Sequence, residues 1–265
     1  RTMKFRRLIT VSALTAGLVA CATSPLGRNQ FLLMPADQMD EMGSTAYAQM
    51  KEEKPQSKDN REVNYVLCVS NAITNTLGGN QQWEVTVFQE DSANAFALPG
   101  GKIGVHTGLL KVAKNQNQLA AVIGHEIGHV QAQHSNERMS LQYATQSGMQ
   151  LLGALAGQDT AAKQGVMAAL GVGAEYGLAL PFSRKHEAEA DIIGLQLMAQ
   201  AGFDPRESVN LWQNMAAANG GNEPPEFMST HPSNSTRIDG LRARIPEVMP
   251  LYQQAQAAGR KPQCG

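Results

Sequence analysis

No uninterrupted apolar run in this chain reaches the roughly 20 residues that a membrane-spanning helix requires, so the sequence offers no spanning helix. There is no internal repeat, which excludes a solenoid or propeller. The composition of a disordered chain is missing too: 42% of residues are hydrophobic and 17% charged, proportions ordinary for a globular fold. Nor is there a basic patch. Lys and Arg number 22 against 23 Asp and Glu, and without residues 1–20, which hold four basic and no acidic side chains, 18 basic face 23 acidic residues. Nucleic acid is therefore not an expected partner. Cysteine is confined to Cys21, Cys68 and Cys264, and histidine to six positions, so the place of each carries information.

The first stretch differs from the rest. Arg1, Lys4, Arg6 and Arg7 form a basic start, Leu8 to Ala20 an apolar run, and Leu18-Val19-Ala20-Cys21 follows. The run is too short to span a bilayer and reads as a secretory signal over residues 1–20. Its end resembles a bacterial lipobox, which implies lipidation of Cys21. Ala22, rather than an aspartate, follows that cysteine and in the usual sorting pattern points to the outer membrane. Residues 21–34, with Ser24, Pro25 and Gly27, read as a tether, residues 35–250 as a single domain and 251–265 as a C-terminal tail. In the oxidising compartment this implies, Cys68 and Cys264 could pair and tie the tail down, whereas Cys68 also suits the apolar face of a helix. Both readings stand at this stage, because the sequence does not contain the distance between them.

Residues 35–53 and about 60–77 predict helices, the second with Val63, Val66, Leu67, Ile73 and Leu77 on one stripe. Three β-rich stretches follow at 83–89, 94–98 and 102–106, and predict a small, mainly antiparallel sheet. A short helix at 107–110 then leads to a run of helical periodicity, so the fold class is α+β and mostly helical. Residues 141–180 are rich in Ala, Gly, Leu and Met but interrupted by Gln146, Asp159, Lys163, Gln164 and Glu175. They predict a helical pair packed through small residues, serving as a cover or an apolar contact.

Chemistry enters with Gly124-His125-Glu126-Ile127-Gly128-His129, which reads H-E-x-x-H. Histidines four apart on a helix project from one face, so His125 and His129 can reach one metal ion with Glu126 beside its open side. Asn115 is the expected N-cap, with Gln118 as its capping-box partner, and Leu119, Val122, Ile123, Ile127 and Val130 recur at helical spacing. Gly124 and Gly128 weaken the helix by about 1 kcal/mol each, which a close approach of a neighbouring backbone would offset. His106 and His134 lack the convergent spacing of ligands and read as structural.

The motif needs a third ligand. Ser183 and Gly202 read as the caps of a helix over about 187–200, on which Glu187 and Asp191 share a face. A carboxylate there would complete a His, His, Glu set with water in the fourth place, the open arrangement of a catalytic zinc. Asp191, one turn on, could accept the free N–H of a ligand histidine. Glu189 competes with Glu187 for the ligand role, and an acidic helix start favoured by the macrodipole is the plainer alternative.

Taken together, Asn94-Ala95-Phe96-Ala97-Leu98-Pro99-Gly100-Gly101, the H-E-x-x-H helix, Glu187-x-x-x-Asp191 and His231-Pro232-x(4)-Arg237 occur in an order that resembles the forty-eighth metallopeptidase family. That family includes CAAX prenyl proteases, HtpX-type quality-control proteases and bacterial envelope lipoprotein proteases. The resemblance runs from Phe31 to Ile245. It implies a gluzincin-type core, with one zinc per chain held by His125, His129 and Glu187, and with Glu126 as base. It further implies that Asp191, His231 and Arg237 surround the ligands and the reacting carbonyl. The lack of transmembrane helices departs from the prenyl and HtpX branches and favours the periplasmic one.

The function expected is a zinc endopeptidase, lipid-anchored at the periplasmic face of the outer membrane, acting on unfolded or misassembled envelope proteins. Asn94, Ala95, Phe96 and Ala97 would hold an extended substrate by strand pairing. A zinc-containing chaperone or assembly factor that seldom cuts is the alternative. Hydrolysis of a cell-wall amide is a third reading.

Overall fold

The computed structural model describes residues 22–144, 160–171, 181–218, 226–232 and 235–265. The expected signal segment, Cys21 and most of the 141–180 stretch lie outside them. Described first is a small hairpin of β1 (Ala22–Thr23) and β2 (Asn29–Gln30), followed by helices α1 (Ala36–Glu53) and α2 (Asn60–Thr74). Asp59 caps α2 by accepting from the Arg61 N–H.

Strands β3 (Glu84–Phe88), β4 (Ala95–Leu98) and β5 (Lys102–His106) form one sheet in the order β3-β5-β4. The chain directions alternate as expected, but β5 inserts between the other two. It runs parallel to β3 and antiparallel to β4, so one of the two pairings is parallel and the sheet is mixed. Pro99-Gly100-Gly101 makes the β4–β5 hairpin, with φ of 81° and 72° at the two glycines. The longer connection from Phe88 to Ala95 carries β4 past the place β5 fills.

The period-2 pattern of the strands separates two cores. Ala95, Ala97, Ile103 and Val105 face the main core with α2, while Phe96 and Leu98 face a smaller one under α1. There the ring of Phe96 lies where a Cβ on Gly104 would stand. Tyr47 of α1 reaches across to donate to the Ile103 carbonyl at 2.9 Å and lies 2.7 Å from the Thr86 hydroxyl.

A 3₁₀ turn (Thr107–Lys111) leads to α3 (Gln116–Gln131), the H-E-x-x-H helix, which is buried from Gln118 to His129. The Asn115 side chain accepts from the N–H groups of Asn117 and Gln118, both at 3.0 Å. Gln118 Oε1 accepts from the Lys114 N–H instead of closing a capping box on Asn115. Helices α4 (His134–Ala144) and α5 (Thr160–Leu170) pack on each other, and of the expected pair at 141–180 only residues 141–144 and 160–171 are described. Among the described residues, no helix is long and apolar enough to cross a membrane.

Helix α6 (Arg184–Ala201) begins at Ser183, whose hydroxyl accepts from the His186 N–H, and ends at Gly202 with φ 92°. It crosses α3 at glycines. A Cβ on Gly124 would stand 2.9 Å from the Gly194 carbonyl oxygen, and one on Gly194 would stand 2.8 Å from the His125 nitrogen. That contact sets Glu187 and Asp191 against the two motif histidines. Helices α7 (Glu207–Ala217), α8 (Glu226–Thr230) and α9 (Ser235–Ala257) complete the main core.

The last helix continues through Pro246 and Pro250 to Ala257, past the expected boundary at 250, because Val248 and Ala255 are buried along it. The final residues turn back, and Cys264 forms a disulfide with Cys68 of α2 across a Cα–Cα distance of 5.5 Å.

Candidate metal centre

Four side chains from three segments converge at the α3–α6 crossing. His125, His129, Glu187 and His231 are all buried, and each offers one donor atom within 4.8 Å of the others. His125 Nε2 lies 3.1 Å from His129 Nε2 and 3.3 Å from His231 Nδ1. Glu187 Oε1 lies 3.3 Å from His129 Nε2 and 3.0 Å from His231 Nδ1.

His231 stands beside the Glu187 carboxylate, as the resemblance implied. Its Nδ1 also lies 3.3 Å from His125 Nε2, so it converges with the three expected ligands. Phe182 and Phe227 stack on its ring, at centroid distances of 5.2 and 4.5 Å, and its N–H donates to the Phe227 carbonyl at 2.9 Å. Together these aim the imidazole inward.

The carboxylates are also sorted. Glu187 faces the cluster, whereas Glu189, its competitor in the sequence, points away and meets Arg28 Nε at 2.8 Å. Asp191 Oδ1 is 2.9 Å from His125 Nδ1, so His125 is held with Nε2 toward the cluster. Arg237 forks across Asp191 at 2.7 and 2.8 Å, reaches Glu187 Oε2 at 2.6 Å, and stacks 3.7 Å above the Trp212 ring. One guanidinium thus bridges two carboxylates that would otherwise repel each other in a buried site.

Glu126 remains apart from the donors. Its Oε1 is buried without a hydrogen-bond partner and lies 3.5 Å from His231 Nε2. Burial pushes its pKa up, against the pull of His231 and His125, while the Ala97 N–H hydrogen bond lowers it. That bond fixes the orientation of β4. The Asn94 carbonyl accepts from His106 of β5, so by the two-residue alternation Ala95 and Ala97 turn their main-chain groups to the opposite edge, the edge beside Glu126. Phe96 turns toward β5 and lies outside that edge.

The electrostatics suit a cation. Burial and Arg237 press the His125 pKa down, but Asp191 and Glu187 outweigh them and carry it up to about 9. Metal binding there must therefore release a proton. Burial takes His129 well below its usual value, and the Glu187 carboxyl is held well below its own against its burial by His231 and Arg237. Three imidazole nitrogens and a carboxylate form a donor set suited to zinc, and the partnerless Glu126 oxygen beside it is a buried acceptor aimed into the site.

Two histidines set aside in the sequence prove different from each other. His106 bonds to Ser92 at the sheet end, 2.8 Å away. His134 is fully buried and touches His129, ring nitrogen to ring nitrogen at 2.9 Å. The turn between α3 and α4 makes this possible, because Gln133 adopts φ 51° and doubles the chain back. No spacing rule announces such a turn at a glutamine.

Around this contact lies a polar network. Arg28 bridges Glu189 and Glu137, and Glu137 meets His186 Nε2 at 3.1 Å. Burial pushes the Glu137 pKa up, but hydrogen bonds from Arg28 and Gln30 outweigh it and hold it at about 2, below an ordinary 4.5. A carboxylate depressed on folding stabilises the protein above its unfolded pKa, and that contribution is lost as pH falls through the folded value. The midpoint of urea unfolding should therefore fall between about pH 4.5 and 2. Arg28→Ala should lower it at neutral pH and flatten that acid limb. An unchanged limb would show that the pair contributes nothing.

The profile of peptidase family M48 matches residues 59–245. Mitochondrial metalloendopeptidase OMA1 of Schizosaccharomyces pombe is 41% identical over 168 residues, covering 63% of this chain and 48% of that protein. Human metalloendopeptidase OMA1 is 32% identical over 248 residues, covering 87% and 47%. The β-barrel assembly-enhancing protease of Escherichia coli is 28% identical over 259 residues, covering 92% and 53%. The chain spans about half the length of these curated relatives.

Proposed function

The chain belongs to peptidase family M48, and on that premise we propose that it is a zinc-dependent endopeptidase of the bacterial envelope acting on unfolded or misassembled proteins. The observation that carries the reading is the buried donor set of His125, His129, Glu187 and His231 with Glu126 and the β4 edge beside it. The metalloendopeptidase names of the relatives support the reaction class, and the assembly-enhancing name of the bacterial relatives supports the substrate class. The basic start, apolar run and Cys21 support a lipid anchor at the periplasmic face of the outer membrane.

Bound among these donors, zinc would polarise a carbonyl and acidify water. The chain's own residues do the rest. Glu126 takes the proton of the attacking water and passes it to the leaving amine. Ala95 and the Ala97 carbonyl lie along the β4 edge, so an extended peptide of any sequence can pair there, which suits unfolded substrates. Asp191 and Arg237 keep His125 and Glu187 in their orientations.

Hydrolysis needs an open position, which a zinc held by His125, His129 and Glu187 would keep. His231, which follows a five-residue helix, stands beside that position, with Nε2 3.5 Å from Glu126 Oε1. From the rim of the site its N–H would stabilise the developing oxyanion.

The test is metal analysis of the purified chain with a digest of unfolded casein. About one zinc per chain is expected, with cleavage abolished by a chelator and restored by zinc. A metal-free chain, or cleavage indifferent to the chelator, would refute the reading.

A further inference from the structure

The two motif histidines are supported differently. His125 has the usual arrangement, its outer nitrogen on the Asp191 carboxylate. Among the described residues, no carboxylate stands directly behind His129. Its Nδ1 meets His134 Nδ1 at 2.9 Å, and only beyond that ring, at 3.1 Å from His134 Nε2, comes Glu189 Oε2. Glu189 in turn is gripped by the N-terminal hairpin, through Arg28 Nε at 2.8 Å and the Ser24 hydroxyl. The His134 ring is stacked 4.4 Å from His186, at 21°, so it cannot turn away from either neighbour.

Following the protons fixes every group in this line. Glu189, ionised beside Arg28, can only accept, so His134 Nε2 donates to it. A neutral His134 then carries a bare Nδ1, which can only accept. His129 Nδ1 must therefore hold the proton, and its Nε2, facing His125 and Glu187, is left with a free lone pair. The direction of the whole line is set at Glu189 by residues that lie about a hundred positions from the motif in sequence.

We propose that the hairpin Ala22–Gln30 positions the metal ligand His129 through Glu189 and His134, holding it as the Nδ1–H tautomer with Nε2 directed at the metal. This rests on the reading of His129 as a ligand. His134 is thus a positioning residue, and the segment following Cys21 is a working part of the site rather than a plain tether.

The test uses the full chain and reads zinc affinity by chelator competition. His134→Phe keeps a flat ring against His186 but offers no acceptor, and zinc affinity should fall about 10- to 100-fold, the range for losing the outer partner of a ligand histidine. Arg28→Ala should weaken zinc in the same direction by a smaller factor. Glu137→Gln removes the other arm of the Arg28 bridge and leaves Glu189 paired. It should cost stability while zinc affinity stays at the parent value, which separates positioning from general support.

Unchanged zinc affinity in His134→Phe would overturn the proposal, as would an equal loss in Glu137→Gln. Should His134→Phe fail to fold, ¹⁵N-histidine spectra of the metal-stripped parent decide. His129 protonated at Nδ1 and coupled across to His134 Nδ1 is the expected result, and His129 protonated at Nε2 overturns the relay. A parent chain that binds no zinc would refute the ligand reading instead, and the same spectra would still judge the relay.

Discussion

Glu126→Gln is expected to lower kcat/KM for peptide hydrolysis by about 10²- to 10⁴-fold, the usual worth of a positioned general base, while zinc content is unchanged. Glutamine keeps the shape of the side chain and an oxygen for the Ala97 N–H, but its amide cannot take a proton from water. The metal should stay because none of the four converging donors belongs to residue 126. Little rearrangement is expected, since Glu126 Oε1 has no hydrogen-bond partner to lose. The loss corresponds to about 3 to 5 kcal/mol in the transition state, far above what a packing change at an isosteric residue would give. Steady-state rates on a fluorogenic unfolded substrate, read beside zinc stoichiometry, separate the possibilities. Near-parental activity with full zinc would remove Glu126 as the base, whereas lost activity with lost zinc would make it a structural residue.

The parts of the site that could be read from the sequence are those governed by local geometry. His125 and His129 share a face because a helix repeats every 3.6 residues, and their rings lie 4.7 Å apart. Asn115, Ser183 and Gly202 announced helix ends because capping needs only neighbouring groups. Gly124 and Gly128 hinted at a close backbone, and α6 supplies it through Gly194 and Ala190.

What escaped depends on contacts between distant segments or on a single unusual dihedral. The residues alone left Glu187 and Glu189 open, because the choice turns on the rotation of α6 about its own axis; the resemblance implied Glu187, and Glu187 joins the cluster. The place of His231 follows from the stacking of Phe182 and Phe227, each remote from the motif. The contact of His134 with His129 needs the left-handed Gln133. The strand order escaped because alternating direction along the chain is compatible with either edge for β5. Arg28 carried no signal at all as one basic residue in an apparent tether, and its meaning lies in two carboxylates more than a hundred residues away.

Reduction of the Cys68–Cys264 disulfide is expected to lower the stability of the full chain by up to about 5 kcal/mol, from the chain entropy released when a loop of this length is opened. The bond joins residues 196 positions apart, close to the largest loop the described chain could close. At about 2–4 °C per kcal/mol for a domain of this size, the melting temperature should drop by about 10–20 °C. The drop should stop short of unfolding at 25 °C, because the tail has other holds. Gln116 bonds to the Pro262 carbonyl and to the Cys264 N–H, both at 2.8 Å, Arg260 donates to the Gln200 carbonyl, and Gln256 donates to the Gly202 carbonyl. These bonds pin the tail to the start of α3 and the end of α6, the two helices that carry the donor set. Cys68→Ser with Cys264→Ser should therefore match the reduced parent in denaturant midpoint yet bind zinc as the oxidised parent does, since the crossing at Gly124 and Gly194 is undisturbed. A loss below about 1 kcal/mol, the worth of a single hydrogen bond, would mean that those bonds alone dock the tail. A parallel loss of zinc would mean that the tail holds α3 and α6 in register from the end remote from the metal. Such a bond persists only where thiols are oxidised, so the stability it adds would be available in the proposed envelope compartment and lost in a reducing one.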